Sequence, residues 1–169
     1  MNITLIGLSG TGKTLIASLL ARNLGKKLVS TDDELVKKTK LSIPKIVKKY
    51  GLNKFQELET EVIENMSDFD ECIFDAGEMA VMRNENITNL KKNSLIILLT
   101  ADTKTMASRM RSGKKPALIK SSFINGAKNV FEEYESKCKK AADYTIDTSR
   151  LQPEEVCGLI MHYIQMELQ

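Results

Sequence analysis

The sequence predicts an α/β fold, a three-layer α/β/α sandwich with helices on both faces of a five-stranded parallel sheet. Three observations carry this expectation. Short apolar runs alternate with longer amphipathic stretches. The first run passes directly into a glycine-rich turn and then a helical pattern. No repeat, low-complexity tract or linker divides the 169 residues. A chain of that length with 42% apolar residues can bury a full core, so we expect one domain over 1–169, a monomer or weak dimer.

In chain order, strands are expected over 3–6, 27–30, 71–75, 94–99 and 144–147, each short and mostly apolar, as strands buried on both faces are. The first helix, 12–23, follows the glycine-rich turn, and the second, 33–38, follows the second strand. Ser42 before the Ile43-Pro44 pair suits an N-cap with a first-turn proline, opening a helix over 43–50 that Gly51 closes. Further helices are expected over 54–66, 86–92, 103–111, 122–141 and 153–166. The stretch from Arg111, polar and broken by Gly113 and Pro116, reads as a loop that acts as a lid over about 111–121.

Composition excludes several functions. The 25 Lys and Arg against 22 Asp and Glu leave a net charge of +3, short of the concentrated basic excess of a nucleic-acid binder. Aromatic residues make up 5% and there is no Trp, which argues against a base-stacking platform. Cys72, Cys138 and Cys157 have neither zinc-ligand nor disulfide-framework spacing, and read as buried reduced thiols. The N-terminal residues lack a basic leader and no apolar run is long enough to span a bilayer, so the expectation is a cytoplasmic protein without membrane contact. His162, the single histidine, sits in an amphipathic helix far from every motif and reads as a surface or packing residue.

The motif that carries chemistry is Gly7-Leu-Ser-Gly-Thr-Gly-Lys13-Thr14, the GxxxxGK[ST] pattern in its required setting of strand, turn and helix. Glycines let backbone N–H groups curl around phosphate oxygens, and the following helix N-terminus adds partial positive charge. We therefore assign nucleotide contact to Gly7, Ser9, Gly10, Thr11, Gly12, Lys13, Thr14 and Leu15, with Lys13 on the transferred phosphate and the Thr14 hydroxyl on Mg²⁺. The expected cofactors are ATP and Mg²⁺.

In such folds ligands gather beyond the carboxyl ends of the strands, so carboxylates there count most. Cys72-Ile-Phe-Asp75 closes an apolar strand on an aspartate, the arrangement that orients Mg²⁺ beside the P-loop threonine; the plain alternative is a solvated strand end. Asp32, after the second strand, either accepts the proton of an acceptor hydroxyl or simply caps the helix beginning near Asp33. Glu78 follows Gly77 in the turn after the third strand and is a further candidate.

Beyond the P-loop, Asp32-Asp-Glu-Leu35, Lys38-Thr-Lys-Leu-Ser42-Ile43, Phe55-Gln56-Glu-Leu-Glu59, Ala142-Asp143 and Pro153-Glu-Glu-Val156 extend over nearly the whole chain. In these stretches it resembles the shikimate kinase family of P-loop kinases. That resemblance implies a P-loop kinase fold with a short lid, and ATP-dependent phosphorylation of a hydroxyl on a small metabolite. It makes Asp32 the residue that binds and activates the acceptor, Arg109 and Pro153 the pair enclosing adenine, and Lys115 the lid cation, where the family has an arginine. It also shows departures. Ser30 stands where the family has a magnesium-side aspartate, Asp75 being the candidate replacement, and Gly77-Glu78-Met79 stands where it has three glycines. Gln56 and Tyr134 occupy the positions of the two arginines that hold the shikimate carboxylate.

Losing two charge-assisted contacts of about 1.5–3 kcal/mol each favours a less acidic acceptor in a site composed of Asp32, Gln56, Gly77, Glu78 and Tyr134. Two other functions compete with this one. A nucleotide-binding regulator that kept the P-loop and lost shikimate phosphorylation would explain the departures, whereas Lys13, Thr14, Asp32 and Asp75 together favour surviving chemistry. A nucleoside monophosphate kinase is disfavoured because the few arginines do not form a phosphate clamp.

Overall fold

A computed structural model describes residues 1–111 and 128–169. Its order is β1 (Asn2–Ile6), α1 (Lys13–Leu24), β2 (Lys27–Ser30), α2 (Thr31–Thr39), α3 (Ile43–Tyr50), α4 (Leu52–Met66), β3 (Cys72–Asp75), a 3₁₀ turn (Ala80–Met82), α5 (Asn84–Lys91), β4 (Ser94–Thr100), α6 (Thr103–Arg111), α7 (Lys128–Ala141), β5 (Tyr144–Asp147) and α8 (Pro153–Glu167). The five strands are all parallel in the order β2-β3-β1-β4-β5. The expected sandwich is therefore the observed one. No described helix is long and apolar enough to cross a membrane. The expected lid, with Lys115, lies outside the described residues.

The apolar runs are nearly continuous because each strand is covered on both faces. Alternate residues feed separate cores. Ile96, Leu98 and Phe74 pack with Phe55 and Ile63 of α4 and Tyr134 of α7. Leu95, Ile97 and Ile73 pack with Ile16 and Leu20 of α1 and Ile160 of α8. This side-chain alternation fixes the register, since a one-residue slip would exchange the two cores.

Several boundaries differ from the sequence expectation, each for a local reason. Helix α2 starts at Thr31 because Ser30 is its N-cap, the Oγ accepting from Asp33 N at 3.3 Å. Asp32 thus lies inside the first turn and is not the cap. Helix α4 starts at Leu52, since Gly51 ends α3 and opens α4 together. Glu71 has φ 57°, which takes it out of β3. The chain there is tied down by the N-terminal ammonium, which donates to Asp70 Oδ1 at 2.6 Å and Glu71 Oε1 at 2.7 Å. These bonds, with one from Asn93, hold the Asp70 carboxyl down at about 2.

The topology puts the carboxyl ends of β1, β2 and β3 side by side, so the P-loop after β1 faces Asp32 after β2 and Asp75 at the end of β3. Gly7 lets the loop leave β1 at all. A Cβ at its φ of 138° would lie 2.3 Å from Leu99 O of β4.

Candidate active site

A cleft of about 1050 Å³ opens at these strand ends, lined by the P-loop from Leu8 through Leu15, by Asp32, Asp75, Gly77 and Glu78, and by Arg109 and Pro153. The loop is folded on itself: Thr11 N and Thr11 Oγ1 both donate to Leu8 O, at 3.3 and 2.7 Å. Helix α1 has Gly12 as its N-cap, with no side-chain cap and no acid in its first turn, leaving its N–H groups directed at the cleft without a resident partner from its own turn. Lys13 is buried at the mouth of this helix and Thr14 is exposed to the cleft.

Thr14 Oγ1 donates to Asp75 Oδ2 at 2.7 Å. Asp75 is itself 7% exposed, which sets aside the solvated strand end. Its direct partner across the sheet is Ser30. The β3 carboxylate therefore stands beside the position on β2 that Ser30 occupies, and the two oxygens at 2.7 Å form a hard-donor pair of the kind Mg²⁺ takes together with phosphate oxygens and water. A P-loop with uncapped amides and this pair below it fit ATP and Mg²⁺.

At the opposite end of the loop, Arg109 donates from Nη1 to Gly10 O at 3.2 Å and Thr148 Oγ1 at 2.9 Å, and from Nη2 to Thr148 O at 2.8 Å. Thr148, buried after β5, in turn reaches Thr11 O at 2.9 Å and Thr100 O at 3.0 Å. Arg109 therefore braces the P-loop against the sheet while facing the same part of the cleft as Pro153 and Leu15. Sequence reasoning missed Thr148. Its only signal was a position just beyond the carboxyl end of a strand.

Of the expected acceptor residues, Asp32, Gly77 and Glu78 line the cleft, whereas Gln56 and Tyr134 do not. Gly77 N donates to Thr31 Oγ1 at 2.7 Å, and Glu78, 8% exposed, accepts from Ser9 N of the P-loop at 2.6 Å. Tyr134 is buried behind them; its hydroxyl lies beside the Cys138 thiol and makes no hydrogen bond to nitrogen or oxygen. Burial raises the Tyr134 hydroxyl well above its ordinary value, and the charges of Glu78 and Glu59 add to the rise.

Glu59, quoted above only as the end of the Phe55–Glu59 stretch and not among the expected site residues, lies behind Gly77 of the cleft wall. It stands on α4 four residues after Phe55, on the same helical face as Phe55, Val62, Ile63 and Met66. A glutamate on that apolar face was a visible signal. It is 0% exposed, and neither carboxylate oxygen has a hydrogen-bond partner. Desolvation pushes its carboxyl up to about 8, with the Asp32 charge adding to this and the Arg83 guanidinium opposing it. Arg83, likewise unforeseen, donates from Nη2 to Asn53 Oδ1 at 3.1 Å.

A phosphate-binding loop on a five-stranded parallel sheet, with a threonine–carboxylate pair below and an acceptor-side carboxylate across the cleft, defines a P-loop phosphotransferase for small molecules. The family model for shikimate kinase matches residues 9–165. The shikimate kinase of Caldicellulosiruptor bescii is 34% identical over 90% of this chain and 89% of its own, and that of Thermodesulfovibrio yellowstonii is 32% identical over 95% and 92%. The solved shikimate kinase of Acinetobacter baumannii, in complex with shikimate, superposes with a TM-score of 0.83 at 25% identity, covering 98% of this chain and 93% of that one. That of Aquifex aeolicus gives 0.81 at 27% identity over 99% and 98%. The chain belongs to the shikimate kinase family and is a small-molecule kinase that uses ATP and Mg²⁺.

Proposed function

We propose that the protein transfers the terminal phosphoryl group of ATP to a hydroxyl of a small metabolite, with shikimate, the acceptor named for its relatives, as the reference compound. The single observation that carries this is the placement of Asp32 in one cleft with Lys13, Thr14 and Asp75. Bound beside Thr14 and Asp75, Mg²⁺ would supply charge neutralisation on the phosphates.

The protein groups divide the work. The Asp32 carboxylate accepts the proton of the acceptor hydroxyl as its oxygen bonds to the γ-phosphorus and the bond to the leaving ADP oxygen breaks. Lys13 and the P-loop N–H groups face the charge that accumulates on the transferring group. Arg109 and Pro153 hold the base, and the Arg109 bonds to Gly10 and Thr148 keep the loop in shape. Little of this requires bond-making by the protein; alignment and fixed charge provide the acceleration.

The test is Lys13→Ala. ADP release with an acceptor present is expected to fall at least about 100-fold, the scale for losing one preorganised charge contact, with the far-ultraviolet circular dichroism unchanged. Normal turnover in that variant would refute the assignment.

A further inference from the structure

Three segments meet on Thr148, which is 3% exposed and directly follows β5. Its backbone N–H donates to Thr100 O, at the end of β4, at 2.8 Å. Arg109 of α6 donates to its Oγ1 at 2.9 Å and to its carbonyl at 2.8 Å. Its hydroxyl lies 2.9 Å from Thr11 O of the P-loop and 3.0 Å from Thr100 O. A hydroxyl has one proton to give. The Arg109 N–H fills a lone pair of Oγ1 and so turns that proton toward the two carbonyls. Thr100 O already accepts from Thr148 N, which leaves Thr11 O as the carbonyl that the hydroxyl serves.

The Thr11 carbonyl shares one planar trans peptide with the Gly12 N–H, and the two point in opposite directions. A donor holding the carbonyl from behind therefore aims the Gly12 N–H away from Thr148, toward the phosphate side of the loop. Of the three P-loop glycines, this one is not fixed by its neighbours. An added Cβ would lie 2.3 Å from Leu99 O at Gly7 and 2.8 Å from Met106 O at Gly10, whereas at Gly12, with φ 95°, the nearest atom is 3.9 Å away. A glycine with such freedom lets its peptide plane turn, and the turned plane presents a carbonyl oxygen to the phosphates.

Resting on the kinase reading, we propose that Thr148 is a positioning residue for nucleotide binding. Its hydroxyl locks the Thr11–Gly12 peptide with the N–H toward the phosphates, and Arg109, which occupies the other side of the same oxygen, ties that lock to the seat of the base.

Thr148→Val keeps the shape of the side chain and removes the hydroxyl, and Thr148→Ser keeps the hydroxyl. Calorimetry on the full chain with Mg²⁺ measures binding of ADP and of inorganic tripolyphosphate, which has no base, at a temperature where far-ultraviolet circular dichroism shows each variant folded. The Gly12 amide is followed by ¹H–¹⁵N NMR at saturating ADP. Thr148→Val is expected to bind both ligands at least about tenfold more weakly and to lose the downfield shift that ADP gives the Gly12 amide in the wild type. Thr148→Ser is expected to keep that shift and to bind within about threefold of the wild type. A merely structural role leaves the Gly12 shift in place once ADP saturates the valine variant. That result overturns the proposal, as does binding by Thr148→Val equal to wild type, a loss confined to ADP, a serine variant as weak as valine, or a wild-type Gly12 amide that ADP does not shift. Thr148→Ala replaces valine if that variant does not fold, and failure of both to fold overturns the proposal by making the hydroxyl a requirement of the fold alone. The kinase reading fails separately, by absence of ADP binding to the wild type.

Discussion

Glu59→Gln isolates the energetic cost of burying a carboxyl behind the cleft wall. In the unfolded chain the carboxyl titrates near 4.5; in the fold, burial holds it at about 8. Between these values the folded protein carries one proton more than the unfolded one, so unfolding free energy falls as pH rises, by about 1.4 kcal/mol per decade of proton activity. Below the lower value both states are protonated and the slope vanishes, and above the upper value both are ionised and the loss is complete. The interval corresponds to about 5 kcal/mol as an upper bound, a large share of a typical domain's stability. Glutamine keeps the shape and cannot ionise. The assay is urea unfolding of wild type and variant at several values between about pH 5 and about pH 9, comparing the difference between the two so that every other titration cancels. The variant is expected to gain on the wild type steadily across the interval and to be the more stable protein at the alkaline end. Parallel stability profiles for the two proteins would refute the reasoning, because they would mean that Glu59 ionises in the fold as readily as in water.

The other perturbations probe the metal side and the cleft wall. Asp75→Asn removes the charge at 2.7 Å from the Thr14 hydroxyl and is expected to raise the Mg²⁺ concentration for half-maximal turnover at least about tenfold; an unchanged titration would show that the β3 carboxylate does not stand in for the one absent at Ser30. Gly77→Ala places a methyl group 2.7 Å from Asp32 Oδ1 and 2.9 Å from Glu59 Oε1, and is expected to destabilise by about 1–3 kcal/mol in urea unfolding while lowering kcat/KM for the acceptor more than for ATP. Equal effects on both substrates would show that Asp32 keeps its position despite the methyl group.

The phosphate half of the cleft was legible because its determinants are local. Gly7 to Thr14 is one contiguous turn whose backbone geometry follows from glycine spacing, and Asp75 ends a strand whose apolar run is visible without knowing its neighbours. The parallel sheet followed from the same local periodicity. What the sequence could not show was pairing between distant segments. That Asp75 stands beside Ser30 depends on β2 lying next to β3, and that Arg109 holds both Gly10 and Thr148 depends on the meeting of three segments spread over most of the chain. Ser30 misled the helix boundary for a related reason: its hydroxyl caps α2, which moves Asp32 into the first turn.

Glu59 and Glu78 belong to the same non-local category, since their places near Gly77 and Ser9 follow from packing and not from the spacing of a motif. The phosphate half must meet an invariant chemical object, so backbone N–H groups, one lysine and one threonine suffice and leave little freedom. The other end of the cleft is lined by Asp32 of α2 and by Gly77 and Glu78 in the turn after β3, positions that can change without unfolding the sheet. Exchanging arginine positions for Gln56 and Tyr134 while placing Glu78 against Ser9 N alters the charge of that half and leaves the P-loop motif intact. A carboxylate acceptor would then approach a wall that carries the Asp32 and Glu78 side chains. The phosphate half of the cleft is thus specified by one local motif, and the half beyond it by residues that no motif in the sequence specifies.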